Sequence, residues 1–350
     1  MSTPTPLQSL IGGVGLALPV HSLLLLNSSV LGISGFLHGA IRGDRDAMVS
    51  VIGLLAGGMV IAMVEGAAQP AVVAPDLQRI ILSGFLVGVG TKLGAGCTSG
   101  HMICGLSRLS PRSMVATATF FVSGVLTAQN AYAGSLPPAR TTDWSLGIHG
   151  KTFIALQAIP LAISSCLYLF SSPPPPPPPP PAHSEPISTS SPLRLVAALS
   201  ASFGFALALR LSNLNQATRV VSFLLLPFDR AFDPSLAYLA IGALPLATLL
   251  YHYARGNQQP RLGGQWNIPK SLTIDAKLVS GAVLFGIGWG LGGICRMLFT
   301  VTMPTKMLTS PLAGPGLINL GASLFTGINI MQPGAWVGAF ALGGLLGGLV

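Results

Sequence analysis

Charge is scarce in this sequence: 9 acidic and 18 basic side chains serve 350 residues, about a third of the charged fraction of a soluble globular domain. With half of the residues hydrophobic and a mean hydropathy of +0.68, so little charge excludes an ordinary soluble domain. Lipid is the solvent that such a composition fits. A basic stripe is missing too. The arginines and lysines stand as ones and twos between apolar runs, without aromatic interleaving, so the net charge of +9 does not point to nucleic acid. Cysteine is limited to Cys97, Cys104, Cys166 and Cys295. Four cysteines, three of them in or beside apolar stretches, make no disulfide framework and read as free thiols. The first apolar segment has neither a basic stretch before it nor a small-residue cleavage site after it. It reads as a retained span, not a removable signal peptide.

What the chain does have is apolar runs. A bilayer crossing takes about 20 such residues. Runs of that kind lie near 9–26, 48–64, 79–96, 112–130 and 152–170, then near 193–211, 235–252, 276–294, 313–328 and 333–349. The expected fold is therefore an all-α polytopic membrane protein of about nine or ten transmembrane helices. Several runs are short and rich in glycine, which suits close helix packing or broken helices. The semi-apolar pieces 28–41 and 214–228 are candidates for short re-entrant or interfacial segments.

Between the two groups of runs, Pro173 to Pro181 is unbroken proline, followed by a Ser/Thr cluster. Proline has no amide hydrogen to give a helix, and as polyproline II this run reaches roughly 28 Å. It reads as a semi-rigid linker. The chain divides into a first membrane half, 1–171, a linker, 172–192, and a second half, 193–350. The halves resemble each other: Gly88-Val-Gly90-Thr-Lys-Leu93-Gly94-Ala-Gly-Cys97 aligns without gaps on Gly286-Ile-Gly288-Trp-Gly-Leu291-Gly292-Gly-Ile-Cys295. Two related halves are a transporter signature. Five spans in the first half make the second enter from the opposite side, so the repeats are expected to be inverted.

The chemistry-bearing residues cluster around the first copy of this motif. Lys92 lies near the end of an apolar run, where a charge is costly and marks a functional candidate; the plainer reading is snorkelling to the interface. Gly94, Gly96 and Gly100 loosen the backbone around Cys97, Thr98 and Ser99. Non-helical backbone at membrane depth is tolerated only where protein or a water-filled cavity surrounds it. A helix restarting at Thr98 or Ser99, capped by either hydroxyl, would turn its positive end toward an anion near Cys97. On such a helix Cys97, His101 and Cys104 share one face, so two thiols and an imidazole with Cys295 are also a conceivable soft-metal set. Plain packing remains the alternative for His101 and Cys104, and Cys166 reads as structural. Arg108, Pro111 and Arg112 form a basic turn that ends one helix and starts the next, as a loop usually does.

From Gly90 to Ser113, the run Gly-Thr-Lys-Leu-Gly-Ala-Gly-Cys97-Thr-Ser-Gly-His101-Met-Ile-Cys104-Gly-Leu-Ser-Arg108-Leu-Ser-Pro111-Arg112-Ser resembles the signature of the YeeE/YedE family of membrane proteins. Weaker similarity reaches Leu31-Gly-Ile-Ser-Gly-Phe36 and Phe232-Asp-Pro-Ser-Leu236. The chain resembles a fusion of two half-length members. That resemblance implies a helical bundle with short inward-dipping helices and uptake of a sulfur-containing anion, thiosulfate in particular. It implies Cys97 and Cys295 as central pathway thiols, with Cys104 secondary and Lys92 where arginine is common. Lys92, Thr98, Ser99 and His101 complete the expected substrate pathway.

The expectation is a transporter, not an enzyme, with no cofactor, in the plasma membrane, with lipid and a small sulfur anion as partners and a cytosolic sulfur-carrier protein as a candidate one. A membrane-bound thiol or metal-site protein in sulfur transfer, or a structural membrane subunit, are the alternatives. One departure stands out: the family continues Pro-Gly-Pro after its second cysteine, whereas here Arg296 to Ala313 intervene before Gly314-Pro-Gly316. The hypothesis for 296–313 is a retained intron or gene-model error. Transcripts are expected to run from Cys295 straight to about Gly314, and peptides spanning the insert would refute this.

Overall fold

The computed structural model describes residues 3–65, 77–171, 191–214, 216–255, 259–263, 266–269, 272–292, 320–321, 324–325 and 331–349. Cys295, the 296–313 insert, most of the linker and most of the run expected near 313–328 lie outside the described residues. Among those described, the regular secondary structure is all helical, apart from one isolated bridge between Ser29 and Asn267.

The first half holds α1 (Pro6–Asn27), the short α2 (Ile33–Ile41), α3 (Arg45–Glu65), α4 (Leu77–Leu93), a π-helical turn (Ser99–Gly105), α5 (Pro111–Tyr132) and α6 (Gly150–Phe170). The second holds α7 (Pro192–Leu211), the short α8 (Ala217–Leu224), α9 (Ser235–Leu249), which runs on as a π-turn (Leu250–Ala254), α10 (Ala276–Leu291) and α11 (Met331–Leu346). The two semi-apolar pieces of the sequence thus become α2 and α8. Local chemistry sets the starts. Pro6, Pro111 and Pro192 occupy first helical turns, where the missing amide costs nothing, and Asp275 caps α10 by accepting from Leu278 N at 2.9 Å.

Among the described residues, five helices are long and apolar enough to cross a membrane: α1, α3, α6, α7 and α9 with its π-turn. Large apolar side chains such as Ile52, Val122, Leu126, Ile159 and Ile241 point outward, as they do where the surroundings are hydrocarbon. This is an integral, multi-pass membrane protein. Buried charge is paired, as depth requires: Arg219 with Asp233 at 3.4 Å, Arg194 with Asp46 at 3.2 Å, and Arg210 with Glu65.

Glycine decides how the helices pack. A Cβ on Gly90 would strike the Phe285 amide and lie 2.7 Å from Gly281 O, and one on Gly288 would lie 2.9 Å from both Val87 and Ser83. Gly94 likewise meets Gly281, as Gly292 meets Ser83. Rising numbers on α4 meet falling numbers on α10, so the two helices run antiparallel. Under the motif alignment, residues 83, 87, 90 and 94 correspond to 281, 285, 288 and 292. Each of these contacts therefore has its counterpart with the halves exchanged, the pattern of a self-complementary, two-fold contact.

The wider packing repeats this exchange. α4 lies parallel to α11, as α10 lies parallel to α5. α1 runs beside α9, with Thr5 N donating to Ser235 Oγ at 2.9 Å, as α3 runs beside α7, with Asp46 paired to Arg194. α1 and α7 are antiparallel, Gly12 against Ser212 and Pro19 near Gly204. The remaining helix, α6, packs antiparallel on α7, with Gly150 near Leu211 and Pro160 near Gly204.

Gly281 is the tightest test of this packing, since a Cβ there would meet the Gly94 amide. Gly281→Ala is expected to lower stability by about 1–3 kcal/mol, read as a fall in the thermal unfolding midpoint in detergent. Gly338→Ala, on α11 where a Cβ meets nothing within 4 Å, should hold or slightly raise it. Equal effects at the two positions would disprove the close α4–α10 contact.

Candidate functional site

α4 does not continue to Cys97. It ends in a Schellman turn: Gly96 N donates to Thr91 O at 3.0 Å and Ala95 N to Lys92 O at 3.4 Å. The residue between, Ala95, sits at φ 55°. That left-handed position usually belongs to glycine, and an alanine there carries backbone strain. The chain then crosses Gly96 and Cys97 and winds into the π-helical turn at Ser99, an uncommon form often found at functional sites.

His101 fastens this break. Its Nε2 faces Gly94 O at 3.0 Å and its Nδ1 faces Ser113 Oγ at 3.2 Å. A carbonyl can only accept, so Nε2 carries the hydrogen, Nδ1 accepts, and Ser113 donates. The ring also lies against Gly96, where a Cβ would come within 2.7 Å of it. Both imidazole nitrogens are thus committed to holding the loop, which leaves neither lone pair for a metal.

The thiols point to different partners. Cys97 Sγ lies 3.1 Å from Ser99 Oγ, and Cys104 Sγ donates to Leu31 O at 3.3 Å. The helical winding starts at Cys97, whose carbonyl accepts from His101 N at 2.8 Å, and Cys97, His101 and Cys104 each take a different side-chain partner. No group of three or more His, Cys, Asp or Glu residues placed to hold a metal occurs among the described residues. The hydroxyl cap is also relocated. Thr98 makes no capping bond, while Ser99 Oγ accepts from the Ile33 amide at 3.3 Å, so it caps the neighbouring α2.

α2 is therefore the second wall of the site. Its start at Gly32–Ile33 meets the start of the π-turn, and a Cβ on Gly32, Gly35 or Gly100 would meet nothing within 4 Å. Two helix starts, with their outward amides and partial positive charge, meet next to the Cys97 loop.

His38 of α2 is a residue that sequence reasoning missed. Its Nε2 lies 3.3 Å from Thr91 Oγ1, whose hydrogen goes to Gly88 O at 3.0 Å, so His38 donates. Its ring stacks on Phe340 at 5.1 Å. An imidazole in an apolar segment, just after the Leu31–Phe36 stretch, was the available signal.

Lys92 is half-buried at the end of α4, its stem running over Gly347 and Gly348 of the chain after α11. The basic turn is tied to carbonyls: Arg108 Nε donates to Cys104 O at 3.0 Å and Arg112 to Thr273 O at 2.8 Å. A second Schellman turn, with Leu109 at φ 55° and Ser110 N on Gly105 O at 3.2 Å, ends the π-turn there. Ser110 then caps α5, accepting from Ser113 N at 3.4 Å. Cys166 stands exposed on α6, whereas Cys97 and Cys104 are buried.

Comparison with known proteins gives the chain a family. Residues 4–127 match a family described as sulphur transport, and residues 193–331 match a family of unknown function. Two proteins of Xylella fastidiosa strains Temecula1 and 9a5c, each named a probable transporter, are 44% identical over 121 residues, covering 34% of this chain and 90% of each relative. A further probable transporter of the Temecula1 strain is 35% identical over 105 residues, 30% of this chain and 70% of the relative. No solved structure matches the chain. A stretch of 121 residues thus spans 90% of a relative, and the chain belongs to the YeeE/YedE sulphur transport family of membrane proteins.

Proposed function

We propose that this chain is a permease for thiosulfate or a closely related sulfur oxyanion, passed along a path lined by cysteine. The observation that carries the reading is the placement of Cys97 in a fixed helix break, where the starts of α2 and the π-turn meet through Ser99. A dianion crossing hydrocarbon needs donors that neutralise it partly and release it. Helix-start amides supply fixed partial charge, and a neutral thiol is a weak donor that can hand an ion on without holding it.

The residues then divide the work. Cys97 is the central thiol and Cys104 a secondary one, while Cys295 is the counterpart of Cys97 by the repeat. Lys92 draws the anion toward the break. His101 fixes the loop, Ser99 ties it to α2, and Thr98 lines the loop between them. A metal or sulfur-transfer centre built on the same residues is disfavoured by the engaged nitrogens of His101.

For the whole bundle we propose nine spans, α1, α3 to α7 and α9 to α11, with the first half as 1–171 and the second as 193–350, inverted about an axis in the membrane plane. The antiparallel α1–α7 and α4–α10 pairs support this, since a two-fold axis that exchanges antiparallel helices lies across them. The plasma membrane is the proposed site, and a cytosolic sulfur-carrier protein the proposed recipient.

Two measurements test these readings. Purified protein in liposomes should take up labelled thiosulfate, and Cys97→Ala should cut the rate by about a hundredfold while Cys166→Ala leaves it within about twofold. Undiminished uptake by Cys97→Ala would refute the cysteine path. In intact membranes, an epitope tag at the N-terminus and one within 172–190 should be accessible from opposite faces, with a C-terminal tag sharing the face of the linker. Accessibility of the N-terminal and linker tags from one face would rule out inversion.

A further inference from the structure

Cys97 and Ser99 are close enough for a hydrogen bond at 3.1 Å, and either atom could be the donor. The surroundings settle the direction. A serine hydroxyl has one hydrogen and two lone pairs, and the Ile33 amide, which can only donate, already uses one lone pair at 3.3 Å. Ser99 is buried, and among the described residues Cys97 Sγ is the acceptor within reach of its remaining hydrogen. If the thiol donated instead, the hydroxyl hydrogen would be left unpaired in a buried place, which costs more than the weak sulfur bond returns.

Resting on the permease reading above, we propose that Ser99 is a positioning residue: it donates to Cys97 Sγ and thereby turns the thiol's own hydrogen outward, to the passing anion. The same hydroxyl receives the first amide of α2, so one atom sets both the donor direction of the thiol and the seat of the facing helix. The path then presents an S–H donor at Cys97 in every resting molecule, with no reorientation needed when the anion arrives.

The test reads the thiol directly. The infrared S–H stretch of Cys97 is isolated as the difference between the parent protein and Cys97→Ala, and thiosulfate uptake is measured in the same liposomes. Ser99→Ala should shift the Cys97 band and lower uptake about tenfold, while Ser99→Thr, which keeps the hydroxyl, should retain both the band and the uptake. A band that stays in place in Ser99→Ala overturns the proposal even where uptake falls, because Ser99 then acts otherwise than through the sulfur. A shifted band with full uptake overturns it as well. Full uptake by Cys97→Ala is a separate result: it defeats the permease path while the band still reports whether Ser99 donates to the thiol.

Discussion

Backbone that leaves the helix inside a membrane protein must find a partner for every freed amide and carbonyl, and the site around Cys97 is the solution to that requirement. Between Gly94 and Ser99 the chain satisfies the end of α4 with a Schellman turn, gives Gly94 O to the imidazole of His101, and takes up the first amide of α2 on Ser99. Hydrocarbon offers no water to repair an omission, so each of these bonds weighs more than it would at a soluble surface. The strain at Ala95 is held in place by this closure. The break is therefore rigid, and a rigid break can present a thiol in one direction.

The same region is where α4 and α10 approach most closely. Gly90 and Gly94 fit against Gly281 and Phe285 because they have no side chains, and that contact fixes the level at which α4 stops. The packing glycines and the Schellman turn share the seven residues from Gly90 to Gly96. A glycine-rich stretch that looks merely permissive in the sequence is doubly constrained: Gly90 and Gly94 must admit a neighbouring backbone, and Gly96 must admit the ring of His101.

Much of this was legible beforehand. The apolar runs placed α1, α3, α6, α7 and α9 to within a few residues, because length and composition alone decide what spans lipid. The break after Leu93 was legible from Gly94 and Gly96, and the Arg108–Pro111 turn from its proline and serine. The side-chain partners were not. Spacing puts Cys97, His101 and Cys104 on one restarted helix, but not the partner of each: Ser99 for Cys97, Gly94 and Ser113 for His101, Leu31 for Cys104. Ser99 capping α2 and His38 reaching Thr91 join segments more than 50 residues apart. Spacing along one segment carries no information about such bonds.

The repeat also shows where the two halves part in chemistry. Thr91, which receives His38, corresponds to Trp289, whose ring packs on Phe120 and Phe285 at 5.8 and 6.5 Å and sits against Gly124. A polar link between a short helix and the motif in the first half is thus an aromatic plug in the second. The backbone contacts of the two repeats are symmetric, but the side chains at this position are not: the first half uses it for a hydrogen bond to a short helix, and the second for ring packing against α5.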